Sequence, residues 1–152
     1  MNSLTTRRAD LADLDTVASL FDAYRQFYEQ TPDLARARAF ISERMARHES
    51  FILLAEDTAG MAVGFCQLYP TFCSVEAVPI LTLYDLYVTP EARRGGVGST
   101  LLLAAEALAR QGGFRRMDLT TARTNLAAQS VYASLGWVRD DVFLAYNRWI
   151  TA

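Results

Sequence analysis

The sequence predicts an α/β fold: one mixed, mostly antiparallel sheet of about seven strands flanked by about four helices. Three observations carry this. β-rich apolar runs take turns with stretches whose apolar residues recur at helical spacing. Between Leu81 and Thr120 a strand, a glycine-rich turn, a helix and a second strand follow one another, which predicts a right-handed crossover between parallel neighbours. And 152 residues, 51% hydrophobic and 21% charged, suit a single domain over residues 1–152 with its own core.

Leu4 to Arg7 reads as a short first strand. Asp10 then caps a helix along which Leu11, Leu14, Val17, Ala18, Phe21 and Tyr24 recur. Tyr24, Phe27 and Tyr28 cluster near its end, either as core against the sheet or as the wall of an acceptor pocket. Thr31-Pro32-Asp33 breaks the pattern, and a second helix over Leu34–Arg47 carries the stripe Ala37, Phe40, Ile41, Met45. His48 ends it, where the helix dipole favours positive charge. Phe51–Glu56 and Met61–Tyr69 read as antiparallel neighbours joined through Asp57-Thr-Ala-Gly60. Pro70 to Pro79, with Phe72 and Cys73, reads as a loop more apolar than solvent requires, which fits a lid or a subunit contact.

Val78 to Val88 is a long strand. The helix from Gly98 has Leu101, Leu102, Ala104, Ala105 and Leu108 on a broad apolar face, and Gly112-Gly113 ends it. Arg115–Thr120 is the next strand, Asn125–Leu135 a short helix closed by Gly136. Trp137–Arg139 and Phe143–Ile150 read as terminal strands on either side of Asp140-Asp141.

Composition removes several function classes. Fifteen basic against seventeen acidic residues, a formal charge of -2, argue against nonspecific nucleic-acid binding. Cys66 and Cys73 give neither a disulfide framework nor metal-ligand spacing, and read as buried small hydrophobes. With His48 the single histidine, no histidine zinc cluster is possible, and no metal is expected. No signal peptide and no apolar run long enough to span a membrane is present, so a cytoplasmic protein is expected.

The chemistry gathers at Val88-Thr-Pro-Glu-Ala-Arg-Arg-Gly-Gly-Val-Gly-Ser-Thr-Leu-Leu102. A turn that presents backbone N–H groups at a helix N-terminus, beside arginines, suits phosphate or pyrophosphate. It is not a nucleotide P-loop, because no lysine precedes Ser99, and Gly95-Gly96-Val97-Gly98 lacks the G-x-G-x-x-G spacing of a dinucleotide fold.

Arg93-Arg-Gly-Gly96-Val-Gly98, an Arg-x-x-Gly-x-Gly pattern, resembles the acyl-coenzyme A loop of the GCN5-related N-acetyltransferase (GNAT) superfamily. About 27 residues beyond Gly98, Asn125-Leu-Ala-Ala-Gln-Ser-Val-Tyr-Ala-Ser-Leu-Gly-Trp137 resembles that family's second signature, and the order of elements before the loop agrees. The resemblance implies a single-domain GNAT fold with a splayed central strand pair, and acetyl-CoA as the donor. It implies that Arg93, Arg94, Gly95, Gly96, Val97, Gly98 and Ser99 surround the pyrophosphate, and that the backbone of Leu86, Tyr87 and Val88 runs along the pantetheine arm. Asn125 faces that arm, and the Tyr132 hydroxyl stands near the thioester sulfur, where it can protonate the departing thiolate.

For the acceptor half, Tyr84 stands where one polyamine-acetylating branch has glutamate, followed by Asp85. Either is a candidate base or ammonium partner, although strand alternation expects Asp85 on the face opposite Tyr84 and Leu86. Tyr24, Phe27, Tyr28 and Phe72 complete the expected acceptor wall. The segment from Tyr24 to Phe40 is similar to an Hpa2-like subgroup of histone and polyamine acetyltransferases, which implies a homodimer and a small-molecule or lysine-like amine acceptor. The alternatives are a non-catalytic acyl-CoA-binding module and a peptide or amino-acid α-amine acetyltransferase.

Overall fold

A computed structural model describes residues 3–151. The elements are β1 (Thr5–Arg8), α1 (Leu14–Phe27), α2 (Leu34–Ala46), β2 (Phe51–Glu56), β3 (Ala62–Cys73), β4 (Val78–Val88), α3 (Val97–Gln111), β5 (Met117–Asp118) and α4 (Leu126–Ser134). The chain divides into two compact units, residues 1–120 and 121–152.

The first unit contains one five-stranded sheet in the order β1-β2-β3-β4-β5. The first three pairings are antiparallel and β4 with β5 is parallel, as the crossover through α3 requires. Val17, Phe21, Ile41, Ile52, Leu54 and Phe65 close a core between α1, α2 and the sheet. Leu101, Leu102 and Ala105 bury the apolar stripe of α3. At Gly64 a Cβ would come within 2.9 Å of the Tyr87 carbonyl oxygen and 3.0 Å of Val97 Cγ1. Only glycine lets β3, β4 and the first turn of α3 approach so closely.

The sheet has five strands among the described residues, not seven. Trp137–Arg139 and Phe143–Ile150 form no ladder; Asp140 Oδ1 instead accepts from the N–H groups of Val142 and Phe143. β-rich composition does not make a strand without a partner for its backbone. A second correction concerns Pro70–Pro79. β3 runs on to Cys73, pairing Pro70 with Leu81 and Cys73 with Val78, so only a tight turn separates the strands and no lid exists there. Pro70 interrupts a donor but not the strand.

Candidate active site

The turn before α3 is open and built of backbone. Gly96 is the N-cap at φ 81°, and no side chain caps the helix. The first intrahelical bond runs from Thr100 N–H to Gly96 C=O, which leaves the N–H groups of Val97, Gly98 and Ser99 as the orphan donors of the helix start. Gly96 answers to its left-handed backbone; Gly98 answers to nothing internal, since a Cβ there would meet no atom within 4 Å. A glycine not demanded by the fold keeps a surface clear, and a pyrophosphate at a helix N-terminus fits that surface. Arg94 also adopts positive φ, 67°, and is exposed. Arg93, also exposed, folds back on its strand: its Nε donates to the Val88 carbonyl at 3.0 Å, and its guanidinium lies 5.7 Å from the ring centres of both Phe27 and Tyr87. The β5 ladder covers only Leu81 and Thr82, so Leu86, Tyr87 and Val88 continue beyond their parallel neighbour.

A second cluster forms lower on β4 and is built of side chains. On β3 Gln67 and Leu68 are consecutive, but their partners are Asp85 and Leu83, so Tyr84 is an extra residue in a β-bulge. The bulge overturns simple alternation. Asp85 meets Gln67 and the Tyr84 ring packs edge-on to Tyr69, centroids 5.8 Å apart. Gln67 and Tyr69 are two apart on one strand and share a face, so Tyr84 and Asp85 do too. Asp85 is 3% exposed and Tyr84 67%. From α1 the Tyr24 hydroxyl donates to the Tyr84 carbonyl at 3.1 Å, next to Asp85 in the chain, and its phenol feels the Asp85 charge.

Burial pushes the Asp85 carboxyl up to about 6, against the hydrogen bonds from Gln67 and Tyr24. Burial and then the Asp85 charge raise the Tyr24 phenol well above its ordinary range. The Tyr69 phenol moves the same way for the same two reasons, and burial lifts the Cys66 thiol to about 12. Asp85 therefore changes protonation state close to neutrality.

Tyr24 also packs edge-on to Tyr28, which packs edge-on to Phe27, and these two are exposed. Phe72 is not brought to this group. It sits near the end of the β3–β4 hairpin, 75% exposed, on the strand face opposite Gln67 and Tyr69.

In the second unit Asn125 Oδ1 caps α4 by accepting from Ala128 N–H at 3.2 Å. The helix ends at Gly136, φ 90°, where the Trp137 N–H returns to the Tyr132 carbonyl at 3.0 Å. This closure brings the rings of Tyr132 and Trp137 to 6.1 Å. The local signature from Asn125 to Trp137 is therefore one capped helix presenting a half-buried tyrosine.

Residues 14–137 match the acetyltransferase (GNAT) family, and the chain belongs to that family. It is an N-acetyltransferase with acetyl-CoA as donor. An uncharacterised N-acetyltransferase of Bacillus subtilis, YhfO, is 43% identical over 143 residues, 94% of this chain and 95% of the relative. The crystal structure of a probable acetyltransferase superposes with a TM-score of 0.90 at 39% identity, covering 97% of this chain and 99% of the other. An aminoglycoside N(6')-acetyltransferase type 1 of Klebsiella aerogenes is 36% identical over 102 residues, 64% of this chain and 65% of its own.

The sequence did not single out Gln67, Tyr69, Ser50 or Gly64. Gln67 carried a signal all the same: a lone amide inside the apolar run Phe65–Leu68 is costly unless a buried partner awaits it.

Proposed function

We propose that the acceptor is a primary amine on a small cationic molecule, polyamine-like or aminoglycoside-like, or a lysine side chain, attacking directly in a ternary complex. The observation that carries this reading is the bulge at Tyr84, which sets a buried carboxylate beneath Tyr24, Tyr69 and Tyr84 on one face. Aromatic faces over a carboxylate attract an ammonium group, and the exposed rings of Phe27 and Tyr28 extend that wall. The likeness to an aminoglycoside acetyltransferase supports the same class of acceptor.

Acetyl-CoA supplies the acetyl group as a thioester. The N–H groups of Val97, Gly98 and Ser99 hold its pyrophosphate, over the turn Gly95-Gly96 and beside Arg94. The backbone of Leu86, Tyr87 and Val88 guides the pantetheine arm, with Asn125 fixing it, and the Val88 N–H polarises the carbonyl. Arg93 steadies the turn through its Nε and flanks the phosphate with its exposed Nη groups. The amine proton passes to the Tyr24 oxygen as the Tyr24 hydroxyl turns from the Tyr84 carbonyl and gives its proton to Asp85, and Tyr132 protonates the departing sulfur. The two units act together as one acetyltransferase domain. A homodimer is part of the proposal, supported by the apolar residues Phe143, Leu144, Tyr146, Trp149 and Ile150, all exposed in the single chain.

A thiol-release assay with acetyl-CoA against spermidine, kanamycin, glycine, free lysine and a lysine peptide tests the acceptor class. Turnover is expected with the polycations; turnover confined to glycine would overturn it. Sedimentation of the full chain is expected to report twice the monomer mass.

A further inference from the structure

We propose that Gln67 is a positioning residue for the reaction: its side-chain amide holds Asp85 as a carboxylate, and Ser50 anchors the far end of that amide. The proposal rests on the reading of Asp85 and Tyr24 as the proton-accepting pair.

Gln67 is fully buried and stands opposite Asp85 in the β3–β4 register. Its Nε2 donates to Asp85 Oδ2 at 2.5 Å, and its Oε1 accepts from the Ser50 hydroxyl at 2.8 Å. An amide nitrogen is a donor at every pH, so it favours the charged carboxylate and opposes the effect of burial. The same side chain turned end for end would present its oxygen to Asp85 and favour the protonated acid. The ionised Asp85, an acceptor only, selects the nitrogen end, and the Ser50 hydroxyl satisfies the oxygen end and holds the amide in place. Ser50 lies in the junction between α2 and β2, so this junction is tied to the bulged strand through one amide.

The other groups that face Asp85 leave the control with Gln67. Tyr24 from α1 and Tyr69 and Cys66 from β3 are all raised from their ordinary values and stay neutral around pH 7. Tyr84 adds a carbonyl already bonded to Tyr24. Arg44 of α2 and Glu49 after it act on Tyr69 with opposite signs.

Carboxyl carbon NMR on the full chain gives the Asp85 midpoint without any acceptor, and the pH profile of kcat/KM with acetyl-CoA and spermidine gives the rate. Gln67→Leu is expected to raise the Asp85 midpoint by about one pH unit or more and to move the acid limb of the rate by the same amount. Ser50→Ala is expected to shift both in the same direction by less, and Ser50→Thr, which keeps the hydroxyl, to restore them. The Ser50 pair carries the test if Gln67→Leu does not fold. Unmoved midpoints in folded variants overturn the role of Gln67. A wild-type acid limb that does not coincide with the Asp85 midpoint overturns the base reading instead, and with it any role of Gln67 in turnover.

Discussion

The turn before α3 and the pocket beneath Tyr84 solve opposite electrostatic problems. The turn faces solvent and offers neutral N–H groups to the proposed dianion, so it needs space and a left-handed corner but no buried charge. The pocket hides a single carboxylate at 3% exposure and must balance its loss of water with side chains from three elements. Backbone recognition costs the fold little, because helix-end donors have no internal partner anyway. Side-chain recognition works against stability, since burial disfavours the ionised form that the chemistry needs.

That contrast is broken or sharpened by four variants. Asp85→Asn should lower kcat/KM by about 10²- to 10⁴-fold, with acetyl-CoA affinity unchanged by calorimetry. It should also raise thermal stability at pH 7, by an amount on the order of 1–3 kcal/mol, because the desolvation of a charge is removed. A destabilised, active variant would make Asp85 a structural anchor. Gly98→Asp places a negative charge where the fold leaves open space. The helix tolerates it, since acidic residues suit a first turn, while acetyl-CoA affinity should drop about 100-fold, a change of about 3 kcal/mol. Unchanged affinity would remove the pyrophosphate from this turn.

Tyr132→Phe should slow transfer by about tenfold or more while leaving donor affinity within about twofold in calorimetry. Equal turnover would free Tyr132 from the acid role. The smallest expected change is in Gly64→Ala, about 1–3 kcal/mol of stability in denaturant melts, from the contact with the Tyr87 carbonyl and Val97.

The signs of the pH effects differ between activity and stability. Asp85 titrates in the folded chain at about 6 rather than 3.8, so it is an active base above about 6 and loses activity as the pH falls below it. The same shift penalises the fold above 6, and the penalty fades between 6 and 3.8. Asp13, held to about 2 first by its hydrogen bonds from Arg7, behaves in the reverse manner. Its contribution is intact above 3.8 and is lost only as the pH falls toward 2. At pH 5 the chain should thus be folded and slow, which melts and rates measured on one sample will show.

The donor side was legible in sequence because it is local. Strand, proline, arginines, glycines and apolar helix follow within one stretch, and their geometry depends on neighbours in the chain. The same holds for Asn125 to Trp137, where cap, tyrosine and closing glycine lie within one helix. The acceptor side depends on a pairing slip between residues 18 apart, such as Gln67 and Asp85, and a one-residue bulge turns Tyr84 onto the face of Asp85 while Leu86 keeps the opposite one. Phe72 shows the complementary error: two residues beyond Pro70, it read as part of an apolar loop, yet pairing with β4 keeps it in a strand. The terminal segment had strand composition but no ladder, and composition cannot count partners.

Arg93 has one consequence for the donor side. Its Nε is held by the Val88 carbonyl and its guanidinium lies beside two aromatic rings, so in the proposed donor site it stands fixed next to the uncharged N–H groups of the helix start. Short hydrogen bonds from neutral donors are screened far less by mobile ions than a cluster of exposed cations is. Donor affinity in this protein should therefore change only modestly between dilute buffer and physiological ionic strength, with exposed Arg93 and Arg94 supplying that dependence.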